Sequence, residues 1–422
     1  MKAVSFINYL ITIMFAACYF YQFLYIFVPF ILKSKPIETR KLHRYAVLIA
    51  ARNEEAVIAK LIESIKNQNY PSDLIKIFVV ADNCTDNTAQ KARSAGAVVW
   101  ERFNRHKVGK GYAIEYLLDR IAEMYPERPF DGYFVFDADN LLDENYISEM
   151  NKSFSNGNRI ITSYRNSKNY GRNWISAGSA LWLLRDSQYL SRSRTLLGTS
   201  CAVSGTGFLF HHDIIEKTGG WKFFLLTEDT EFTVCNVINR EKIAYCESAV
   251  LYDEQPVRFS QFWSQRMRWT KGNIQVCQKY GVELVKSIFK NKSFSSFDMT
   301  MTIIPTVILP AVSGLINLIG LIYGLLSKMN YIIILQSIWE SIVNAYLVFF
   351  IIGLITTITE WENIYCPAAK KILYTFTFPL FMFTYVPITI AAWFKKVEWE
   401  PIEHNESITL KEVRKVGSNI NI

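Results

Sequence analysis

Four stretches of the chain carry no charged side chain: Ala3 to Leu32, Met299 to Ser327, Ser341 to Thr359 and Ile372 to Phe394. Each reaches or exceeds the roughly 18 residues that mark a membrane span. Between the first and second, from about Lys33 to Phe297, polarity is mixed, and a segment of that length can bury its own core. The first run is too long for a signal-peptide core and lacks a small-residue cleavage site, so it predicts a retained anchor. Lys33, Lys35, Arg40, Lys41 and Arg44 follow it, whereas only Lys2 precedes it. That asymmetry predicts a cytosolic central segment.

Inside that segment the hydrophobic period alternates. Tyr45 to Ala50 is a short apolar strand ending in the polar turn Arg52-Asn53-Glu54-Glu55, and Val57, Ile58, Leu61, Ile62 and Ile65 then recur at helical spacing. Ile75 to Ala81 repeats the pattern and ends at Asp82-Asn83-Cys84-Thr85-Asp86, rich in helix-capping residues. Tyr133 to Phe136 is a third strand, ending at Asp137-Ala138-Asp139. Strands alternating with helices predict an α/β domain with a mostly parallel sheet, whose ligands bind beyond the carboxyl ends of the strands. Composition adds two constraints. The net charge of +8 is accounted for by basic residues beside spans and anionic headgroups, so no nucleic-acid partner is implied. Seven cysteines without CxxC spacing predict neither disulfides nor zinc.

The polar clusters at the strand ends carry the candidate chemistry. Alternation along a strand sends Asp137 and Asp139 the same way, and paired hard oxygen ligands suit Mg²⁺ or Mn²⁺ held with substrate phosphates. A solvated turn is the competing reading of such a tripeptide. Thr227-Glu228-Asp229 offers a general base, but it is also an ordinary acidic helix start. After Pro256, Phe259, Phe262, Trp263 and Met267 form one helix face, while Gln265, Arg268 and Trp269 form another. The second face presents an indole to stack on a sugar and a guanidinium to hold a diphosphate; a plain interfacial helix is the alternative. Lys110, between two glycines, either reaches a phosphate or is a solvated surface charge.

Taken together, in this order, these motifs resemble the family 2 glycosyltransferases of the GT-A fold. They are especially similar to the processive membrane branch of cellulose, mixed-linkage glucan, hyaluronan and poly-N-acetylglucosamine synthases. Gln265-Arg266-Met267-Arg268-Trp269 matches that family's QxxRW signature. The resemblance implies a GT-A catalytic domain over 33–255, interfacial helices over 256–297, a transmembrane and interfacial region over 298–396 and a cytosolic tail over 397–422, after the anchor at 1–32. It implies that Ala50, Glu54 and Asp82 line a uridine pocket, that Lys110 lies near the nucleotide, and that Asp137 and Asp139 hold nucleotide and metal, Asp139 most directly. It makes Asp229 the general base with Glu228 beside it. Gln265, Arg268 and Trp269 would bind diphosphate and acceptor sugar, and Gly205 and Thr206, in Ser204-Gly205-Thr206-Gly207, would abut the acceptor.

The implied activity is inverting, processive polymerisation of a β-linked polysaccharide at the plasma membrane. A UDP-sugar serves as donor, UDP-glucose being favoured, and the growing chain as acceptor. A poly-N-acetylglucosamine or hyaluronan-like synthase, and a non-processive lipid-carrier glycosyltransferase, are the alternatives. A homo-oligomer or an accessory export protein fits the same reading. Trp399 to His404 resembles the Trp-containing segment that closes over the active site in some relatives, which requires the fourth apolar run to be broken or re-entrant. Pro379 and Pro387 permit that. Glu340 either lines a channel or sits at the membrane interface. His211 and His212 either join a metal or start a helix.

Overall fold

The computed structural model describes residues 2–33, 38, 41–326, 331–404 and 406–418, so Lys35 and Arg40 lie outside it. The strands are β1 (Tyr45–Ala51), β2 (Ile75–Asp82), β3 (Val98–Arg102), β4 (Gly132–Asp137), β5 (Leu141–Leu142), β6 (Ile160–Ser167), β7 (Phe208–His211) and β8 (Ile243–Asp253). They form one sheet in the order β3-β2-β1-β4-β7-β6-β8-β5. β3, β2, β1 and β4 run parallel, β7 is antiparallel to β4 and β6, and β8 is parallel to β6. β1 is apolar on both faces because both are covered. Ala46 and Leu48 join one core while Val47 and Ile49 join the other.

Parallel register fixes the site. Ala50 stands opposite Val80 on one side and Asp137 on the other, so β1, β2 and β4 end together and their terminal polar residues share one edge. The three strands expected from sequence lie within a residue or two of β1, β2 and β4.

Helices Lys2–Tyr25, Phe294–Leu326 and Tyr331–Thr359, together with the Ala368–Phe394 stretch, are long and apolar enough to cross a membrane. Both ends of the last stretch pack against the segment between the first and second apolar runs. Lys370 Nζ donates to Gly171 O at 2.8 Å near its start, and Lys271 Nζ donates to Ala392 O at 3.0 Å near its end. The stretch breaks at Thr384 into helices Ala368–Phe383 and Tyr385–Phe394. Its window is 44% buried, against 17 to 22% for the other three. It lies on helix Trp174–Arg185. Gly178 permits this packing, since a Cβ there would lie 2.4 Å from the Phe381 ring. Glu340, exposed, accepts from Gln336 Nε2 at 3.0 Å on its own helix.

The domain is tied to the membrane helices by a buried ion pair. Arg194 Nε and Nη2 donate to Asp298 Oδ2 and Oδ1 at 2.8 and 3.0 Å, both side chains 2% exposed or less. Tyr21 and Tyr25 of the first helix donate to the same carboxylate at 2.8 and 3.1 Å. Removing one partner strands a buried charge. Asp298→Ala should cost about 3 kcal/mol, and pairing it with Arg194→Met should recover part of the loss. Thermal and denaturant unfolding of the detergent-solubilised protein measure both.

Candidate active site

Asp137 and Asp139 end β4 and its turn with different surroundings. Asp137 Oδ1 accepts from Lys110 Nζ at 2.5 Å, and the same ammonium donates to Gly205 O at 2.7 Å. Lys110 is thus not a solvated surface charge but a pin between the carboxylate strand and the glycine loop. Asp139 is buried, and Oδ2 accepts from the Glu254 amide at 2.8 Å. Burial pushes its pKa up, but His404, Lys168, that amide and Arg165 outweigh burial and hold it below the usual carboxylate value. Its Oδ1 takes no hydrogen bond among the described residues, leaving an ionised oxygen aimed into the cavity. This donor set fits a hard divalent cation.

Thr206 does something other than touch the cavity. It is buried, its hydroxyl accepts from the Asp137 amide at 2.9 Å and donates to Asn140 Oδ1 at 2.5 Å, so it braces the Asp137 turn from behind. Gly205 does line the cavity, opposite Asp229.

Asp229 and Glu228 open helix Glu228–Ile238. Burial pushes the Glu228 pKa up to about 7, the neighbouring Asp229 adding to the rise while Lys110 and Arg268 oppose it. Asp229 is raised as well, again by burial, against the amides of Thr230 and Gly205. The QxxRW residues lie on helix Phe259–Asn291, which approaches Thr227 through Gly272. A Cβ there would lie 2.4 Å from the Thr227 hydroxyl. That close crossing brings Gln265, Arg268 and Trp269 into the same cavity as Asp229. The buried Oε1 of Gln265 has no partner.

Ala50, Glu54 and Asp82 line the far wall. Asp82 accepts from Arg102 Nη1 at 2.5 Å. Glu54 has its pKa pushed up to about 7 by burial, against the His404 imidazole 2.9 Å from its carboxylate. His404 belongs to the C-terminal segment, and so does Trp399, whose ring lies 5.2 Å from the Arg52 guanidinium and 5.8 Å from that of Arg268. Arg172 clamps Glu406 of the same segment at 2.6 and 2.8 Å. Trp399 to His404 therefore covers the cavity from the domain side.

Two residues escaped the sequence reading. Arg165 of β6 donates through Nε to Asp253 Oδ2 at 2.6 Å and through Nη1 to Ser204 O at 2.7 Å, and His404 closes the donor side. Arg165 and Asp253 are single residues in no motif; the only signal was the polar run Asp253-Glu254-Gln255 after an apolar strand. His211 and His212 lie elsewhere. His211 pairs with Gly132, five residues or about 17 Å before Asp137 on β4, and its Nδ1 accepts from the Asp213 amide at 3.2 Å as a helix cap.

A family model for "Glycosyltransferase like family 2" matches residues 43–272. A β-monoglucosyldiacylglycerol synthase of Nostoc is 26% identical over 63% of this chain and 57% of its own length. A probable glucomannan 4-β-mannosyltransferase of Arabidopsis thaliana is 22% identical over 57% of this chain and 44% of its own length. The chain thus spans less than two thirds of the length of the curated relatives it matches. The fold is similar to that of a mannosyltransferase of Pyrobaculum calidifontis solved with GDP-Man and Mn²⁺, with a TM-score of 0.57 at 14% identity, covering 90% of this chain and 97% of that one.

The covering segment yields a direct test. His404→Ala removes a charge-assisted contact worth roughly 1.5–3 kcal/mol, so amide hydrogen exchange across residues 399–404 should quicken by about tenfold or more. Unchanged protection there would show that Glu54 does not hold the segment.

Proposed function

The chain belongs to the glycosyltransferase-like family 2 and is a nucleotide-sugar-dependent transferase; on that premise we propose that it moves one hexose, with inversion, onto a hydroxyl of a membrane-held lipid. The observation that carries this reading is a single cavity of about 1920 Å³ continuous from Asp139 and Asp229 into the space between the membrane helices. It reaches from Thr302 to Tyr323 on one helix, about 32 Å of rise, comparable to a bilayer core. Its membrane walls include Phe15, Phe23, Leu318, Leu321, Val348 and Ile352. A sugar chain against such walls leaves hydroxyls unpaired, at a cost of roughly 1–3 kcal/mol each, whereas acyl or prenyl chains fit them.

In the transfer, the acceptor hydroxyl attacks the anomeric carbon from the Trp269 side, its proton passes to Asp229, and the nucleoside diphosphate leaves on the opposite face. Arg268 and Lys110 stabilise the charge that grows on the diphosphate. Asp139, with Asp137, would hold a Mg²⁺ or Mn²⁺ ion, which neutralises the leaving group when bound. Glu54 and Asp82 orient the nucleoside, and the Trp399–His404 segment excludes water.

Processive synthesis of a polysaccharide has one observation in its favour. Thr302, Thr306, Ser313 and Asn317 form a polar stripe along the membrane part of the cavity. Thr302, Thr306 and Asn317 each donate to a carbonyl of their own helix at 2.7 to 2.8 Å, which leaves less capacity for a passing sugar chain.

Incubation of the full-length protein in vesicles with UDP-glucose, UDP-N-acetylglucosamine or GDP-mannose separates the two. Neutral and phosphorylated glycolipids serve as acceptors. The lipid reading expects a solvent-extractable acceptor heavier by one sugar, and ethanol-insoluble polymer without such a lipid overturns it. Asp229→Asn should lower kcat by about 10²–10⁴-fold while donor affinity persists. Because the base acts deprotonated and burial raises the Asp229 pKa above its ordinary value, kcat/KM should fall about tenfold per pH unit along an acid limb that begins above the pH at which a free aspartate titrates. An acid limb at the ordinary carboxylate position, about pH 4, would remove Asp229 from that role.

A further inference from the structure

Several buried cations around this cavity face a carboxylate: Arg102 faces Asp82, Arg165 faces Asp253 and Arg194 faces Asp298. Two guanidiniums on the membrane side do not. Arg185 ends helix Trp174–Arg185, just before the π-helical turn Asp186–Ser191, a distortion that recurs at functional sites. Among the described residues it makes one contact of its own, with the Trp182 ring 4.7 Å away. Burial pulls its pKa down, opposed first by the charge of Asp186, next in sequence, with which it forms no ion pair among the described residues. Arg266, 1% exposed, donates through Nη2 to Ser179 at 3.2 Å, and among the described residues its Nε and Nη1 have no hydrogen-bond partner.

The two guanidiniums are joined by rings. Trp182 lies 6.2 Å from Tyr385, Tyr385 lies 5.7 Å from Arg266, and Arg266 stacks on Trp269 at 4.0 Å. All of these residues line the cavity. The ledge also lies where the domain meets the first apolar helix. Arg185 and Tyr19 line the same cavity, and Tyr19 is six residues, about 9 Å, from Tyr25, whose carbonyl accepts from Ser193 of the domain at 2.8 Å.

Two guanidiniums that form no ion pair among the described residues, on a ledge that ends at the acceptor platform, leave room for an anion that enters with the acceptor. We propose that this ledge holds the phosphate of a glycosyl lipid joined through a phosphodiester or pyrophosphate, with the phosphate on Arg185, the terminal sugar on Trp269 and the apolar chains between the membrane helices. The inference rests on the lipid-acceptor reading and narrows it to anionic lipids. A neutral glycolipid would leave both guanidiniums uncompensated.

The test uses the full-length protein in vesicles with two acceptors sharing a terminal hexose, a polyprenyl pyrophosphoryl hexose and a monohexosyl diacylglycerol. The wild type should show a KM about tenfold lower for the phosphorylated acceptor; Arg185→Gln should abolish that advantage with donor Kd unchanged, and Arg185→Lys should restore part of it. Equal use of both acceptors, with Arg185→Gln silent, overturns the phosphate site and leaves the lipid reading standing. A rate governed by added phosphatidylglycerol whatever the acceptor assigns the ledge to bulk headgroups and also overturns it. Polymer formation with neither lipid glycosylated removes the lipid reading, and the inference with it.

Discussion

The Arg194–Asp298 pair is the constraint on which the placement of everything else depends. It lies where the first membrane helix, the helix after the π-helical turn and the start of the Phe294–Leu326 helix converge, with Tyr21 and Tyr25 closing the remaining carboxylate positions. Its geometry is bidentate and fully hydrogen-bonded, the condition under which mutual attraction offsets the desolvation of both ions. Apolar packing alone would let membrane helices slide against the domain at little cost. A fixed set of donors on one carboxylate does not. The cavity mouth between domain and membrane therefore has one shape, and the ledge from Arg185 to Trp269 inherits it.

The catalytic end is governed by crowding of carboxylates. Glu54, Asp82, Asp137, Asp139, Glu228, Asp229 and Asp253 all line one cavity, and like charges at such density resist ionisation together. The chain resolves this unevenly. Asp139, near His404, Lys168 and Arg165, is held ionised, while Glu228 and Asp229 are pushed up by burial. One carboxyl is thereby ready to ligate a cation and another to take a proton. His404, pushed up to about 10 chiefly by Asp139 and Glu54 against the opposing effect of burial, brings a positive charge from a segment about 350 residues away in sequence.

How much of this was legible in the sequence follows from how local each signal is. β1, β2 and β4 could be read because each is an uninterrupted apolar run ending in a polar cluster, and parallel register then aligned Glu54, Asp82 and Asp137 on one edge. The QxxRW helix could be read because its residues recur at helical spacing. β6, β7 and β8 passed unnoticed, since their mixed pairing interrupts the alternation with helices. Arg165 and Asp253 passed unnoticed with them, because an ion pair spanning 88 positions leaves no pattern in either neighbourhood. Thr206 was legible as part of a loop but not in its direction: φ of +74° at Gly205 and +64° at Gly207 turn the hydroxyl inward to Asn140.

The fourth apolar run shows where hydropathy stops being informative. Its composition satisfies the criterion for a span, and a single crossing would carry Trp399 and His404 to the far side of the membrane from Glu54. A single crossing does not fit the contacts: Lys370 Nζ reaches Gly171, Lys271 Nζ reaches Ala392, and His404 reaches Glu54. One face of the run meets protein instead: Phe378 and Phe381 lie against the domain core, with Gly178 leaving room for the latter, while Leu373, Phe376 and Leu380 stay exposed. An apolar stretch signals only that a face must leave water. Whether it meets acyl chains or another helix is decided by small residues such as Gly178, far away in the chain. Here that choice delivers Tyr385 to the ledge and Trp399 over the cavity, joining the apolar-helix end of the cavity to its carboxylate end through one stretch broken at Thr384.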